Sequence, residues 1–301
     1  MTKELDARLK TALDGSRLLI LGAQVLFGFA FQGVFQELFK DVSPAGHSLQ
    51  CAALVLLCGS VGLLIAPSMY HRIACDGQSR HQALHVTTSL TGWSLLPLTL
   101  GLGASVFVVF DFLFGPQLGA VLGAVLAAIG LCLLFGLGMV LRHKAKPLPP
   151  ESGTPLKTKI EQLLTEARVI IPGGQALLGF QFVAALTRSF QSLPDWMQAV
   201  HAVGLLAVAF SVLLLMTPAS LHRLAFHGED DPQFFRIGSA LVIAAALPLA
   251  LGIAADIAVV IYVVSESART ALAIGTTAFA SLVTVWYGFP LWHRGAGHGT
   301  T

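Results

Sequence analysis

Two polar patterns recur along the chain at spacings that could do chemistry. Pro-x-x-x-His-Arg occurs as Pro67, His71 and Arg72, and again as Pro218, His222 and Arg223. A guanidinium beside an imidazole would hold an anion or a lipid headgroup, and the imidazole would make that site pH-sensitive near neutrality. The two copies together would make a basic gate at the cytoplasmic interface. The plainer reading is an anchor whose arginine snorkels to the headgroups. The second pattern, Arg-x4-Gly-x-Gln, occurs as Arg17, Gly22 and Gln24, and again as Arg168, Gly173 and Gln175. If the arginine marks the inner boundary of a helix, the glutamine lies about 10 Å deeper. A polar residue at that depth needs a partner and turns toward other helices. Gln24 and Gln175 would then line a polar path between two halves of the protein, or act as interhelical hydrogen-bond glue.

The elements that must position these residues are transmembrane helices. Of the 301 residues 55% are hydrophobic and 11% charged, against about 25% charged in a soluble domain. Crossing ~30 Å of hydrocarbon takes about 20 apolar residues in a helix. Eight runs qualify: 18–35, 51–69, 86–110, 118–141, 169–186, 200–216, 237–264 and 268–291. They lack the alternation of barrel strands, so the expected fold class is an all-α membrane protein. Pro97 and Pro248 should kink the third and seventh spans rather than end them. Trp93, Trp196, Trp286, Tyr287 and Trp292 fall near span ends, as an aromatic belt would have them.

Both polar patterns repeat at one offset, 151 residues. Arg17, Gly22, Gln24, Gly28, Phe29 and Phe31 meet Arg168, Gly173, Gln175, Gly179, Phe180 and Phe182 without a gap. Pro67, His71, Arg72, Gly77 and Pro97 meet Pro218, His222, Arg223, Gly228 and Pro248 at the same offset. The chain is a tandem duplication of a four-helix unit. An even number of spans per copy makes the repeats parallel, related about an axis along the membrane normal. The expected organisation is a first repeat over 1–143, a proline-rich cytoplasmic linker over 144–155, a second repeat over 156–294, and a short tail over 295–301. The first span has a twin in mid-chain and is expected to stay in the mature protein, not to act as a cleaved signal.

Of the 18 Lys and Arg, all but Lys40, Arg188 and Arg269 fall on one side of this topology. By the positive-inside rule both termini are cytoplasmic. Short amphipathic stretches precede each first span: Leu5, Leu9, Leu13 and Ser16, then Leu156, Ile160, Leu163 and Ala167. They should extend the first helix of each copy or lie on the membrane surface. Gly115, Gly119, Gly123 and Ala127 give the fourth span one smooth face for close helix approach, within the subunit or in self-association.

The formal charge of +2 and the lack of a basic, aromatic-interleaved stripe argue against nucleic acid as a partner, leaving the lipid bilayer. Cys51, Cys58, Cys75 and Cys132 match neither a zinc site nor a disulfide framework. No nucleophile elbow, metal-binding helix or phosphate loop is present, so no enzyme, metal or cofactor is expected. The spans show no carboxylate near their centres, with Asp111 and Asp256 placed toward the outer ends. That argues against proton or cation antiport and leaves anions and neutral solutes. The reading is a channel or secondary transporter for a small ion or solute; the alternative is a non-transporting scaffold, sensor or partner subunit.

The Arg-x4-Gly-x-Gln element followed by Pro-x-x-x-His-Arg resembles an uncharacterised bacterial family of small four-span membrane proteins. Gly22-Ala23-Gln24 and Gly173-Gly174-Gln175 stand where that family carries Gly-x-Gln, and both copies are similar to it. The resemblance implies the bacterial inner membrane and no particular activity. It also implies that single-copy relatives form dimers which this chain has fused.

Overall fold

The computed structural model describes residues 2–136, 153–226 and 229–296, so most of the expected linker and tail lies outside the described residues. Among the described residues eight helices are long and apolar enough to cross a membrane, the fourth and eighth of them only together with the π-helical turns that continue them. They are α1 (Thr2–Gly33), α2 (Pro44–Ile73), α3 (His81–Phe114), α4 (Pro116–Leu131), α5 (Leu156–Ala185), α6 (Asp195–Leu224), α7 (Pro232–Ser265) and α8 (Ala268–Val283). The protein is an all-α membrane protein of two tandem parallel four-helix repeats. Pro97 and Pro248 lie inside the continuous helices α3 and α7. The amphipathic leads are the first turns of α1 and α5. Leu9 and Leu13 are buried against Tyr70, Cys75 and Ala83, so the lead of α1 docks on the protein rather than on the membrane surface.

In both copies the fourth helix runs into a π-helical turn, Cys132–Gly136 and Thr284–Gly288, one repeat apart within a residue. A π turn shifts the facing of everything after it. In the second copy it aims Trp286 inward, where the fully buried indole Nε1 donates to the Gly62 carbonyl of α2 at 2.8 Å. Trp286 therefore belongs to the core and not to an aromatic belt, whereas Trp93 and Trp292 are exposed as a belt requires. Asp111 at the end of α3 accepts from the Ser43 amide at 3.1 Å and its hydroxyl at 2.6 Å, while Ser43 caps α2. The glycine face of α4 is used within the chain. A Cβ on Gly119 would meet the Phe107 carbonyl at 2.9 Å, and one on Gly123 the Gly103 carbonyl at 2.7 Å. Gly115 sits at the α3–α4 corner with φ +90°, a conformation that glycine adopts without strain.

The two copies meet along α1 and α5, which run parallel and in register. Phe29 and Phe180, equivalent positions, pack with ring centroids 4.6 Å apart. The seam is nevertheless not two-fold. α1 presents Arg17, Gln24 and Phe31 to the second copy, and Arg17, Gln24 and Phe31 are buried. Their equivalents Arg168, Gln175 and Phe182 point outward and are exposed. α5 instead presents Glu166, Gly173 and Phe180, two residues earlier in the repeat, which is the opposite side of a helix turning about 100° per residue. Gly28 makes room for the Phe180 ring, while Gly179 has open space around it. Different surfaces of one unit meet, which is a heterologous contact. α2 packs on α7 and the π turn after α8, and among the described residues α6 makes no comparable contact with α3 or α4. A fused two-fold dimer would have made both.

Candidate functional site

The terminal end of the seam, the end where α1 and α5 begin, holds a buried ionic cluster from four helices. Glu166 of α5 is fully buried. Arg72 of α2 makes a direct ion pair with its carboxylate, Arg17 of α1 lies 3.6 Å from it, and His71 Nδ1 lies 3.8 Å away. Arg72 also donates to Ser239 Oγ of α7 at 3.1 Å. Arg17 reaches outward to Asp14 and inward to the Gln162 carbonyl at 3.4 Å. Among the described residues neither ring nitrogen of His71 has a hydrogen-bond partner, nor does either amide atom of Gln162.

The local sequence explains how Glu166 gets there. On α5, Gln162, Leu163, Glu166, Ala167 and Ile170 share one buried face, while Glu161 and Arg168 point outward. The carboxylate is a charge placed on the apolar face of an amphipathic helix. Such a charge persists in the interior only when paired. Here the pairing comes from the other copy.

About 10 Å further along α1, Gln24 is 2% exposed and neither amide atom has a hydrogen-bond partner among the described residues. It lies on Gly173, where a Cβ would fall 1.6 Å from Gln24 Oε1. Ile20, Ala23 and Phe27, on the same helix, are buried core residues. The far end of the seam carries a third polar group, all from the second copy. Asp256 of α7, fully buried, accepts from Gln181 Nε2 of α5 at 3.0 and 2.9 Å. His201 Nδ1 of α6 lies 3.8 Å from Asp256, and its Nε2 is 3.1 Å from the Gln181 carbonyl. Phe31 of α1 stacks on the imidazole, with centroids 5.7 Å apart and planes within 5°.

From Glu166 to Gln181 is fifteen residues of α5, roughly 22 Å of rise, most of the ~30 Å hydrocarbon. Beyond lies a polar cavity of about 690 Å³ between the copies, lined by Glu37, Lys40, His47, Ser189, Ser192 and Glu266 among others.

A family model, Family of unknown function (DUF6328), matches the chain twice, over residues 1–138 and 154–290. The chain belongs to this family. Each match covers one four-helix copy, so the chain is two DUF6328 units in tandem. No curated protein and no solved structure matches it.

Against that duplication, the expected site residues divide unequally between the units. Arg17, Gln24, His71 and Arg72 of the first DUF6328 unit are all buried along the seam or in the ionic cluster. Arg168 and Gln175 of the second are exposed. His222 is half-buried beside Phe234, with centroids 4.7 Å apart, and the side chain of Arg223 lies outside the described residues. The two glutamines are therefore not brought together, and the paired basic gate is one built cluster. Carboxylates near the span centres are not expected, and Asp256 does lie toward the end of α7, but two carboxylates outside the expected site residues are buried here. Asp256 sits nine residues inside α7 and is fully buried, and Glu166 anchors the cluster. Both were readable: Glu166 as a charge on an apolar face, Asp256 as the lone charge of the run 237–264.

Proposed function

We propose that this protein is a channel or secondary transporter for a small ion or solute, with its path along the α1–α5 seam. The observation that carries the reading is the set of buried polar groups at three levels of that seam. Gln162, Gln24 and the Gln181 Oε1 are buried without hydrogen-bond partners among the described residues. An unpartnered buried polar group costs about 1–3 kcal/mol, and intramembrane charges are costly and functional by default. A protein that only held its helices together would gain by replacing them with apolar residues. The ionic cluster sets the class of solute. Arg17, Arg72 and His71 surround one carboxylate, so Glu166 holds the place a small anion would take, and passage requires that place to open. No catalytic role forms part of this reading.

The distribution of Lys and Arg supports placing both termini in the cytoplasm, and the resemblance to bacterial four-span proteins supports the inner membrane. The ionic cluster would then face the cytoplasm. A second reading, a scaffold or partner subunit, is favoured by the packing of Gln24 on Gly173, which leaves the seam closed at that level. Solute flux in proteoliposomes separates the two. Uptake of a small anion, saturable and dependent on the protein, supports transport. No flux for anions, cations, protons or small neutral solutes would favour the scaffold.

A further inference from the structure

We propose that His201 and Asp256 form a binding site for a single proton, in the half of the membrane away from the termini. The inference goes beyond the transport reading and holds whether or not a solute crosses.

The argument starts from donors and acceptors. A carbonyl oxygen only accepts, so His201 Nε2, 3.1 Å from the Gln181 carbonyl, carries a hydrogen. In a neutral ring Nδ1 is then a bare lone pair. That nitrogen has no hydrogen-bond partner among the described residues and faces Asp256 Oδ1 at 3.8 Å. A bare nitrogen opposite an ionised carboxylate is two acceptors confronting each other in a dry interior. One proton, on either atom, removes the confrontation and lets the two groups close the 3.8 Å gap to a hydrogen bond. Gln181 Nε2 donates to both carboxylate oxygens and holds Asp256 in place.

The duplication separates scaffold from chemistry here. One repeat earlier, Gln50 Nε2 donates to the Ala30 carbonyl at 2.6 Å, the same contact that His201 makes with the Gln181 carbonyl. It serves the carbonyls near the end of the first helix of each unit, which run short of intrahelical donors. Position 201 thus keeps a structural bond through Nε2 and adds a second nitrogen. The aspartate is likewise an addition, because its equivalent is Ser105. Both changes converge on one point of the second unit.

The elements around the pair isolate it. α5 contributes Gln181, α1 contributes Phe31, and the turn Arg188–Gln191 contributes Phe190, whose ring meets the imidazole edge-on at 4.7 Å. Among the described residues no other charged or titratable side chain is paired with either group. Ser189 and Ser192, on either side of Phe190 in the chain, line the polar cavity that also holds Glu37, Lys40, His47 and Glu266.

The test is a pH titration of the full chain in nanodiscs, followed by infrared difference spectroscopy and by dye-detected proton uptake. Asp256→Ser and His201→Gln install the residues of the first unit at the same positions, and Asp256→Asn is an isosteric second variant. The native protein should show carboxyl and imidazole bands changing together, and should take up one proton per chain more than either Asp256 variant. Asp256→Ser and Asp256→Asn should lose that proton and the carboxyl change. His201→Gln should move the carboxyl band, since its partner nitrogen is gone. Identical uptake and spectra in the native protein and both Asp256 variants would overturn the proposal. An unmoved carboxyl band in His201→Gln would do the same.

Discussion

Replacing Glu166 by glutamine removes the buried carboxylate that Arg72, Arg17 and His71 share. At 3.6 Å, and an effective dielectric of about 20, each guanidinium gains roughly 4–5 kcal/mol of gross attraction from it. Most of that offsets the desolvation of three ions. The loss on mutation is larger than the net worth of the cluster, because charges remain buried without compensation. Arg17 keeps Asp14, which is half-exposed, so the penalty falls mainly on Arg72, left with Ser239 alone. Breaking a buried pair from one side costs about 3–5 kcal/mol, and the surviving Asp14 contact places this case near the lower end. Glu166→Gln should therefore shift the unfolding equilibrium by roughly 10²-fold or more, at about 1.4 kcal/mol per decade. Equilibrium unfolding in mixed micelles or pulse proteolysis reads this. The double variant Glu166→Met/Arg72→Met should recover most of the loss, since an apolar pair of similar volume suits that interior. A single variant within about 0.5 kcal/mol of native, the ordinary range of a surface change, would refute the pairing.

The heterologous seam predicts different results at equivalent positions. Gly173→Ala should destabilise by about 1–3 kcal/mol because its Cβ enters the space of Gln24, whereas Gly22→Ala meets nothing within 4 Å and should be tolerated. Equal stability of the two variants by thermal denaturation would contradict the packing. Trp286→Phe should lose about 1–3 kcal/mol by removing the donor to Gly62 in a fully buried site, read from the same unfolding curves. Asp111→Ala should cost about 1 kcal/mol by freeing the start of α2, with faster hydrogen exchange at Ser43 and Gly46; unchanged exchange would contradict the capping role.

The number of spans and the duplication were legible because both rest on bulk properties, the length of apolar runs and a single offset of 151. The relation between the copies was not. Both units carry the same Arg-x4-Gly-x-Gln pattern, and nothing in the pattern says that α5 turns its other side to the seam. That choice is made by residues that differ between the units, with Glu166 in place of Gly15 and Gln162 in place of Thr11. The same holds at the far end, where Gln181, His201 and Asp256 replace Ala30, Gln50 and Ser105. The matches between the copies define the scaffold. The polar differences between the copies mark the candidate sites, because a buried polar residue present in only one copy is not required by the shared fold.

The most direct test of the transport reading compares the two equivalent glutamines in one flux experiment. Native protein, Gln24→Leu and Gln175→Leu would be reconstituted at equal density and assayed for small-anion uptake. Gln24 lies inside the seam and Gln175 outside it, so the account predicts that flux is lost in the first variant and kept in the second. Equal flux in both variants, or none in the native protein, would contradict a path along α1 and α5.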